Sequence, residues 1–378
     1  MRLDLDSEQE FFRETTARFL EDQAPVATLR ALRADPVGFE PDYWRRGAEL
    51  GWTSLLVSED HGGGSISGDG LVDLSIIVHE FGRHAAPGPL VTTNVVADAL
   101  TRAGDAHAEV LADLLAGTVI GSWCSAEPVP HDRLGDITLE IRVDGDDVVL
   151  DGVKRPVESA AQAGVLLVTG RTGGELTQVL VPAETAGVSI APMETVDLTR
   201  RFGTVTFDDV RVPASAVVGE VGGAAEQVER QYQIAAALSS AESVGAMQTA
   251  FDMAVEWAFE RYSFGRPLAS YQEIKHRFAD MKSWLEASHG ITDAAIAAIA
   301  ADSSDAAELA SAAKAYTGEY GAEVVQDCVQ MHGGIGVTFD HDLHLFLRRV
   351  TLNRAVYGTP ADHRQRLATL VERQAVHA

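Results

Sequence analysis

Hydrophobic periodicity changes twice along the chain, and the order of the three regimes restricts the fold more than any other feature. Over residues 7–32 the apolar Phe11, Phe12, Phe19 and Leu20 recur with Thr15 at helical spacing, and Ser7 with Glu10 three residues on reads as a capping box. The spacing predicts further helices over 43–50, ending at Gly51, and over 71–83, before the breaker Pro87-Gly88-Pro89. Between 121 and 219 the pattern turns to short runs of Val, Ile, Leu and Thr, broken by Gly and Asp about every ten residues. Runs 137–143, 148–150, 165–169, 179–181 and 204–207 read as antiparallel strands. After Gly223 the helical period returns, with Val244, Met247, Phe251, Val255, Phe259 and Tyr262 on one stripe. Gly265-Arg266-Pro267 should break that helix, Gly290 is a candidate interruption of the next, and Gly333-Gly334 should end one that begins near Asp305. Long helices with short breaks imply antiparallel neighbours, hence a four-helix bundle. The expected class is α+β: an N-terminal helical domain (1–120), a middle antiparallel β-domain (121–223) and a C-terminal bundle (224–378).

Charge narrows the function. Over 378 residues, 56 acidic groups face 30 basic ones for a formal net charge of −26, a field that repels nucleic acid and anionic membranes. The two cysteines, Cys124 and Cys328, lie too far apart for a disulfide framework or a clustered-cysteine metal site and are expected as packed thiols. Residues 1–8 are charged, without the apolar core of a leader, and no apolar run nears membrane-spanning length, so a cytoplasmic protein is expected. Asp340, His341, Asp342 and His344 could suggest a metal cluster, but their spacing fits a helix start and a solvated face better; no metal site is expected.

Arg261-Tyr262-Ser263-Phe264-Gly265-Arg266-Pro267-Leu268, followed by Gln272, His276 and Ala279-Asp280-Met281, resembles the signature helix pair of acyl-CoA dehydrogenases. Gln330-Met331-His332-Gly333-Gly334-Ile335-Gly336, Phe207-Asp208-Asp209-Val210-Arg211-Val212-Pro213, and Glu49-Leu50-Gly51-Trp52 leading through Ser58 to Gly63 agree with the same family in the expected order. The resemblance implies an FAD enzyme that desaturates acyl-CoA thioesters, taking an α-proton with a carboxylate while a β-hydride moves to the flavin. It implies that Arg261, Ser263, Phe264, Gln272, Gln330, Gly333 and Gly334 reach the FAD of a neighbouring subunit. A guanidinium suits a pyrophosphate, an aromatic face covers apolar surface, and glycines let backbone approach a ligand.

The chain departs from the family pattern at two places. Where relatives carry the glutamate of Tyr-Glu-Gly-Thr, Val356-Tyr357-Gly358-Thr359 places a phenol, a poor base at neutral pH, and the other usual position falls on Ala235. The half-site for the chain's own flavin is also altered: Ala126-Glu127-Pro128 is not followed by Gly-Ser-Asp, and after Lys154 come Pro156 and Glu158, a carboxylate that would oppose reduced flavin. Glu242, in a nearly uncharged run, is the remaining candidate base if burial leaves it unpaired and raises its pKa; the alternative is a structural glutamate bonded to Ser239 or to a partner's arginine. Arg200, Arg201, Arg348 and Arg349 could meet CoA phosphates or acidic partner residues.

This asymmetry is similar to that of subunits of heterotetrameric actinobacterial dehydrogenases of steroid side-chain degradation, as are the runs 197–203 and 339–349. The expected function is therefore a subunit that completes FAD sites with a second dehydrogenase-like chain or with itself, as a tetramer, acting on an acyl-CoA, a steroid side-chain CoA being the candidate, with an electron-transfer flavoprotein as acceptor. The alternatives are a homo-oligomer using Glu242, a non-catalytic structural subunit, and a flavin monooxygenase on the same fold.

Overall fold

A computed structural model describes residues 5–377; residues 1–4, on which part of the leader reading rests, lie outside the described residues. Helix α1 (Ser7–Gln23) does open on a capping box, one residue earlier than the sequence suggests. Asp6 accepts from the backbone of Glu8 and Gln9, and the Gln9 side chain returns to the Asp6 amide. The short α2 (Val26–Leu29) and a 3-10 turn replace the end of the expected long helix, because Pro25 lacks the amide that α1 would need to continue. Helices α3 (Pro41–Glu49), α4 (Gly70–His84), α5 (Leu90–Arg102) and α6 (Ala108–Leu115) complete the N-terminal layer. Trp44, Trp52 and Phe81 form its aromatic centre, with Trp52 edge-on to Phe81 at 4.8 Å.

The middle sheet comprises β1 (Gly121–Cys124), β2 (Glu140–Asp144), β3 (Asp147–Glu158), β4 (Val165–Thr172), β5 (Glu175–Pro182), β6 (Val188–Met193) and β7 (Phe202–Pro213). The order is β1-β4-β2-β3-β7-β6, with β5 on the other side of β4. It corrects the all-antiparallel expectation: β1 enters from α6 and pairs with β4 in parallel, and β2 makes one parallel bridge to β4. β6 is an edge strand with no buried residue and Pro192 in it, and only Val188 and Ile190 turn toward the core, so its strand signature is short.

The bundle is built on α7 (Ala225–Glu260), α8 (Gln272–Ala300) and α9 (Ala306–His332), followed by α10 (Leu343–Ala355) and α11 (Pro360–His377). At 1.5 Å per residue, the 36 residues of α7 run for about 54 Å. Its apolar stripe is buried at Val244, Met247 and Phe251 but runs out into solvent at Phe259, and the exposed Tyr262 lies beyond the helix end. Gly290 does not break α8, which passes through it. Where α4 crosses α7 the backbones touch: a Cβ on Gly82 would lie 1.9 Å from the Glu242 carbonyl oxygen, and one on Gly245 2.0 Å from that of His79. That crossing fixes the turn of α7 that carries Glu242. Both cysteines are buried free thiols, and burial pushes Cys124 up to about 12, which makes it inert. Among the described residues, no helix is long and apolar enough to cross a membrane.

Candidate functional site

At the end of the bundle, α7 gives way to a hairpin of β8 (Tyr262–Ser263) and β9 (Arg266–Pro267). Its two-residue loop is Phe264-Gly265, with φ of +49° and +81°. Positive φ at both loop positions is the type I′ geometry that matches strand twist, and it suits Gly265 but strains Phe264. Phe264 is nonetheless 98 % exposed, so nothing within the chain rewards an aromatic there. The hairpin is braced from behind: the Tyr271 hydroxyl donates to the Ser263 carbonyl at 2.7 Å, and the Arg266 guanidinium lies 3.9 Å from the Tyr271 ring.

The same end gathers the other residues named for the cofactor. Trp257 stacks on His332 at 5.3 Å, and the Arg261 guanidinium lies over Trp257 at 5.9 Å, which sets the exposed Arg261 beside the end of α9 and its Gly333 cap. Gln330, Gly333 and Gly334 are exposed there, and Gln272 is exposed at the start of α8. Gly333 is explained by its φ of +64°. Gly334 has neither a positive φ nor a neighbour within 4 Å of a would-be Cβ, so no contact inside the chain demands a glycine. Exposed donors, a strained exposed aromatic and bare backbone together fit an anionic, partly aromatic group approaching from outside.

The chain's own half-site is the opposite. Residues 125–127, 132–134 and 155–158 meet 355–359 around a slot of about 110 Å³, well below the roughly 300–1,000 Å³ of ordinary ligand pockets. Trp123, Tyr232, Phe202 and Tyr357 wall it, with the Trp123 and Tyr232 rings 4.9 Å apart. Burial pushes Tyr232 up to about 12, against smaller opposing effects of Ser125 and the Gly135 backbone, and Leu134 lies over the backbone of Gly358. Glu127 accepts from Lys154 at 2.7 Å and from Thr138 and Leu139; burial opposes its charge, but these donors hold it below the usual carboxylate range. These residues do not fit an isoalloxazine.

Beneath the slot lies a buried ion network. Arg200 forks onto Glu158 at 2.6 and 2.7 Å and donates to Glu242 at 2.9 Å and to the Asn353 amide oxygen at 2.8 Å. Arg349 donates to Glu242 at 2.6 Å, to Asp197 at 2.7 Å, to Thr199 and to the carbonyls of Ala85 and Ala86. The Asn353 amide donates to Glu242, and the Tyr357 hydroxyl donates to Glu158 at 3.1 Å. Burial works against both guanidinium charges, but the surrounding carboxylates raise both pKa values above the ordinary arginine range.

This geometry corrects several expectations. Glu242 is not unpaired: two arginines of its own chain and Asn353 hold it, while Ser239 turns to the Asn353 carbonyl, so the ground for treating it as a base is gone. Glu158 is not a free carboxylate facing the slot, since Arg200 neutralises it. Arg200 and Arg349 are buried in the network and Arg201 spends its donors on the carbonyls of Leu32, Asp35 and Leu198, so these three are not presented to a phosphate, while the half-buried Arg348 donates to the carbonyl of Val196. Asp342 pairs with Arg30 instead of capping α10 by its side chain; His341 accepts from the Leu343 amide there. Tyr357 is an even poorer base than its chemistry suggests, because burial and the Glu158 carboxylate push its phenol well above 10. The network could not be read from the sequence because its arginine side chains and their partners stand 42 to 264 positions apart. The charged Glu242 inside an apolar helix was the one visible signal.

Comparison with known proteins decides the family. The model of the acyl-CoA dehydrogenase N-terminal domain matches residues 6–118, and that of the C-terminal domain matches residues 225–371. The chain belongs to the acyl-CoA dehydrogenase family. Among curated acyl-CoA dehydrogenases it is similar to IpdE2 of Mycolicibacterium smegmatis, 28% identical over 365 residues, covering 96% of this chain and 98% of that one. Among solved acyl-CoA dehydrogenase structures it is similar to a variant of the Tcur3481-Tcur3483 steroid ACAD, 27% identical with a TM-score of 0.88, over 98% of this chain and 99% of the other. The ChsE4-ChsE5 complex from Mycobacterium tuberculosis shares the fold: TM-score 0.88 at 20% identity, over 98% and 99% of the two chains.

Proposed function

We propose that the chain is one subunit of an FAD-dependent acyl-CoA dehydrogenase and completes flavin sites on an unlike dehydrogenase partner, which supplies the catalytic base. The observation that carries this reading is the bundle end: a strained, solvent-facing Phe264 beside Arg261 and a glycine, Gly334, that nothing inside the chain requires. Bound FAD would supply the two-electron oxidant for α,β-desaturation of a CoA thioester. Arg261 would donate to its pyrophosphate, Phe264 would cover an apolar face, Ser263, Gln272 and Gln330 would offer polar contacts, and Gly333-Gly334 would admit the cofactor close to backbone.

A partner is favoured over self-assembly because Tyr357, Ala235 and the locked Glu242 leave this chain without a free carboxylate at the positions considered for the base. Two similar structures point the same way: one is named as a two-component steroid ACAD and the other as a two-protein complex. A steroid or other bulky acyl group as substrate, and an electron-transfer flavoprotein as acceptor, belong to the same proposal.

The test is the visible flavin spectrum and assembly mass of the chain purified alone and after co-expression with a dehydrogenase-like protein encoded beside it. Flavin and desaturation of acyl-CoA only in the mixed complex are expected. A mixed complex without flavin would identify a structural subunit instead, and full flavin in the chain alone would remove the need for a partner.

A further inference from the structure

We infer that Arg200 is the residue that keeps this chain's own slot shut and so determines which half-sites of the assembly take flavin. The inference rests on the reading above that FAD is the cofactor. Glu158 belongs to β3 in the middle sheet and Glu242 to α7 in the bundle, and both are carboxylates buried to within a few per cent. A single guanidinium spans them, forked on Glu158 and singly bonded to Glu242, with Asn353 of α10 as a further acceptor.

The strut runs beneath the slot and reaches its surface. Glu158, Phe202 and Tyr357 all line the slot, and the Arg200 guanidinium lies 5.7 Å from the Phe202 ring. Because Arg200 fixes Glu158, Glu158 can accept from Tyr357, and Tyr357 is thereby held in the slot at a φ of +57°. Leu134 then closes over the neighbouring Gly358. Arg200, Glu158, Glu242, Asn353 and Tyr357 already have their partners inside the chain, so the strut itself offers an incoming flavin no waiting donor. Five charges make up the network: Glu158, Glu242 and Asp197 against Arg200 and Arg349. One negative charge is left over, which also opposes an anionic reduced ring. Arg349 cannot replace Arg200, since it is committed to Asp197 and to the carbonyls of Ala85 and Ala86 on the far side of Glu242.

The experiment titrates FAD into the isolated full-length chain and follows flavin binding by equilibrium dialysis. Tyr357→Gly enlarges the slot but leaves the strut; Tyr357→Gly combined with Arg200→Met and Glu158→Gln also releases it, with the charges removed in balance. The combined variant should bind FAD at least about tenfold more tightly than either the wild type or Tyr357→Gly, provided that circular dichroism shows it folded. Equal binding by a folded combined variant and Tyr357→Gly would remove Arg200 from the role. If the combined variant does not fold, the wild-type mixed complex decides: one FAD per pair of unlike chains is expected, and two would overturn the inference. A mixed complex with no flavin at all would sink the subunit reading instead, and the titration of the isolated chain would still stand.

Discussion

Replacing Glu242 by glutamine removes the anion that two buried guanidinium groups share, so its first effect should be on folding. Breaking such a pair costs about 3–5 kcal/mol, and the urea midpoint of Glu242→Gln should fall accordingly. Tyr357→Phe removes one hydrogen bond from a Glu158 that keeps both bonds to Arg200, and about 1 kcal/mol should be lost. Equal stability of Glu242→Gln and the wild type would return Glu242 to the list of bases. Lys314 adds a pH signature. It is buried in α9, where it donates to the carbonyls of Asn353 and Gly358, and burial lowers its pKa to about 7, against a smaller opposing effect of Asp362. An unfolded lysine keeps its proton to about 10.4, so between these values unfolding takes up a proton and stability should rise with pH. Urea unfolding at several pH values should show that rise in the wild type and lose it in Lys314→Met. None of these residue roles could be seen in the sequence, since each depends on partners brought in from other elements. The poor basicity of Tyr357 could be, because it follows from the phenol itself.

At the level of elements, the hairpin at the end of α7 separates what helps the chain from what helps an assembly. Phe264→Gly relieves a positive φ and loses no packing, so it should stabilise the isolated chain by about 0.5–1 kcal/mol while lowering flavin retention in the mixed complex. Gly334→Ala should leave the melting temperature of the chain alone unchanged and weaken the complex. If both variants left flavin retention unaltered, the bundle end would not be the donated face. This element was legible because its signal is local: the spacing of Arg261, Phe264 and Gly265 lies within a single turn. β6 was not, because only Val188 and Ile190 alternate toward the core before Pro192 interrupts the pattern. The continuity of α8 through Gly290 was hidden for a related reason, since the packing of the whole bundle outweighs the roughly 1 kcal/mol penalty of one glycine.

Across the whole molecule, helices, sheet and bundle follow in the order that periodicity gave, while the way they are joined had to be seen. Besides the shared apolar core, two joints hold the layers: the ion network, which ties β3, α7 and α10 to the carbonyls after α4, and the bare crossing of α4 on α7. A methyl group at Gly245 would have to occupy the space of a backbone oxygen. Gly245→Ala should therefore lose about 1–3 kcal/mol or more, measured as a lower urea midpoint, whereas Gly290→Ala, with open space around it, should not lose stability. The crossing also has a consequence for how such a chain can be recombined. Gly82 and Gly245 lie on opposite sides of the middle sheet in sequence, so a chimera joined anywhere between them inherits one glycine from each parent. It can close only if both parents carry the matching residue, and the N-terminal layer and the bundle must then be inherited as one unit even though a whole domain separates them along the chain.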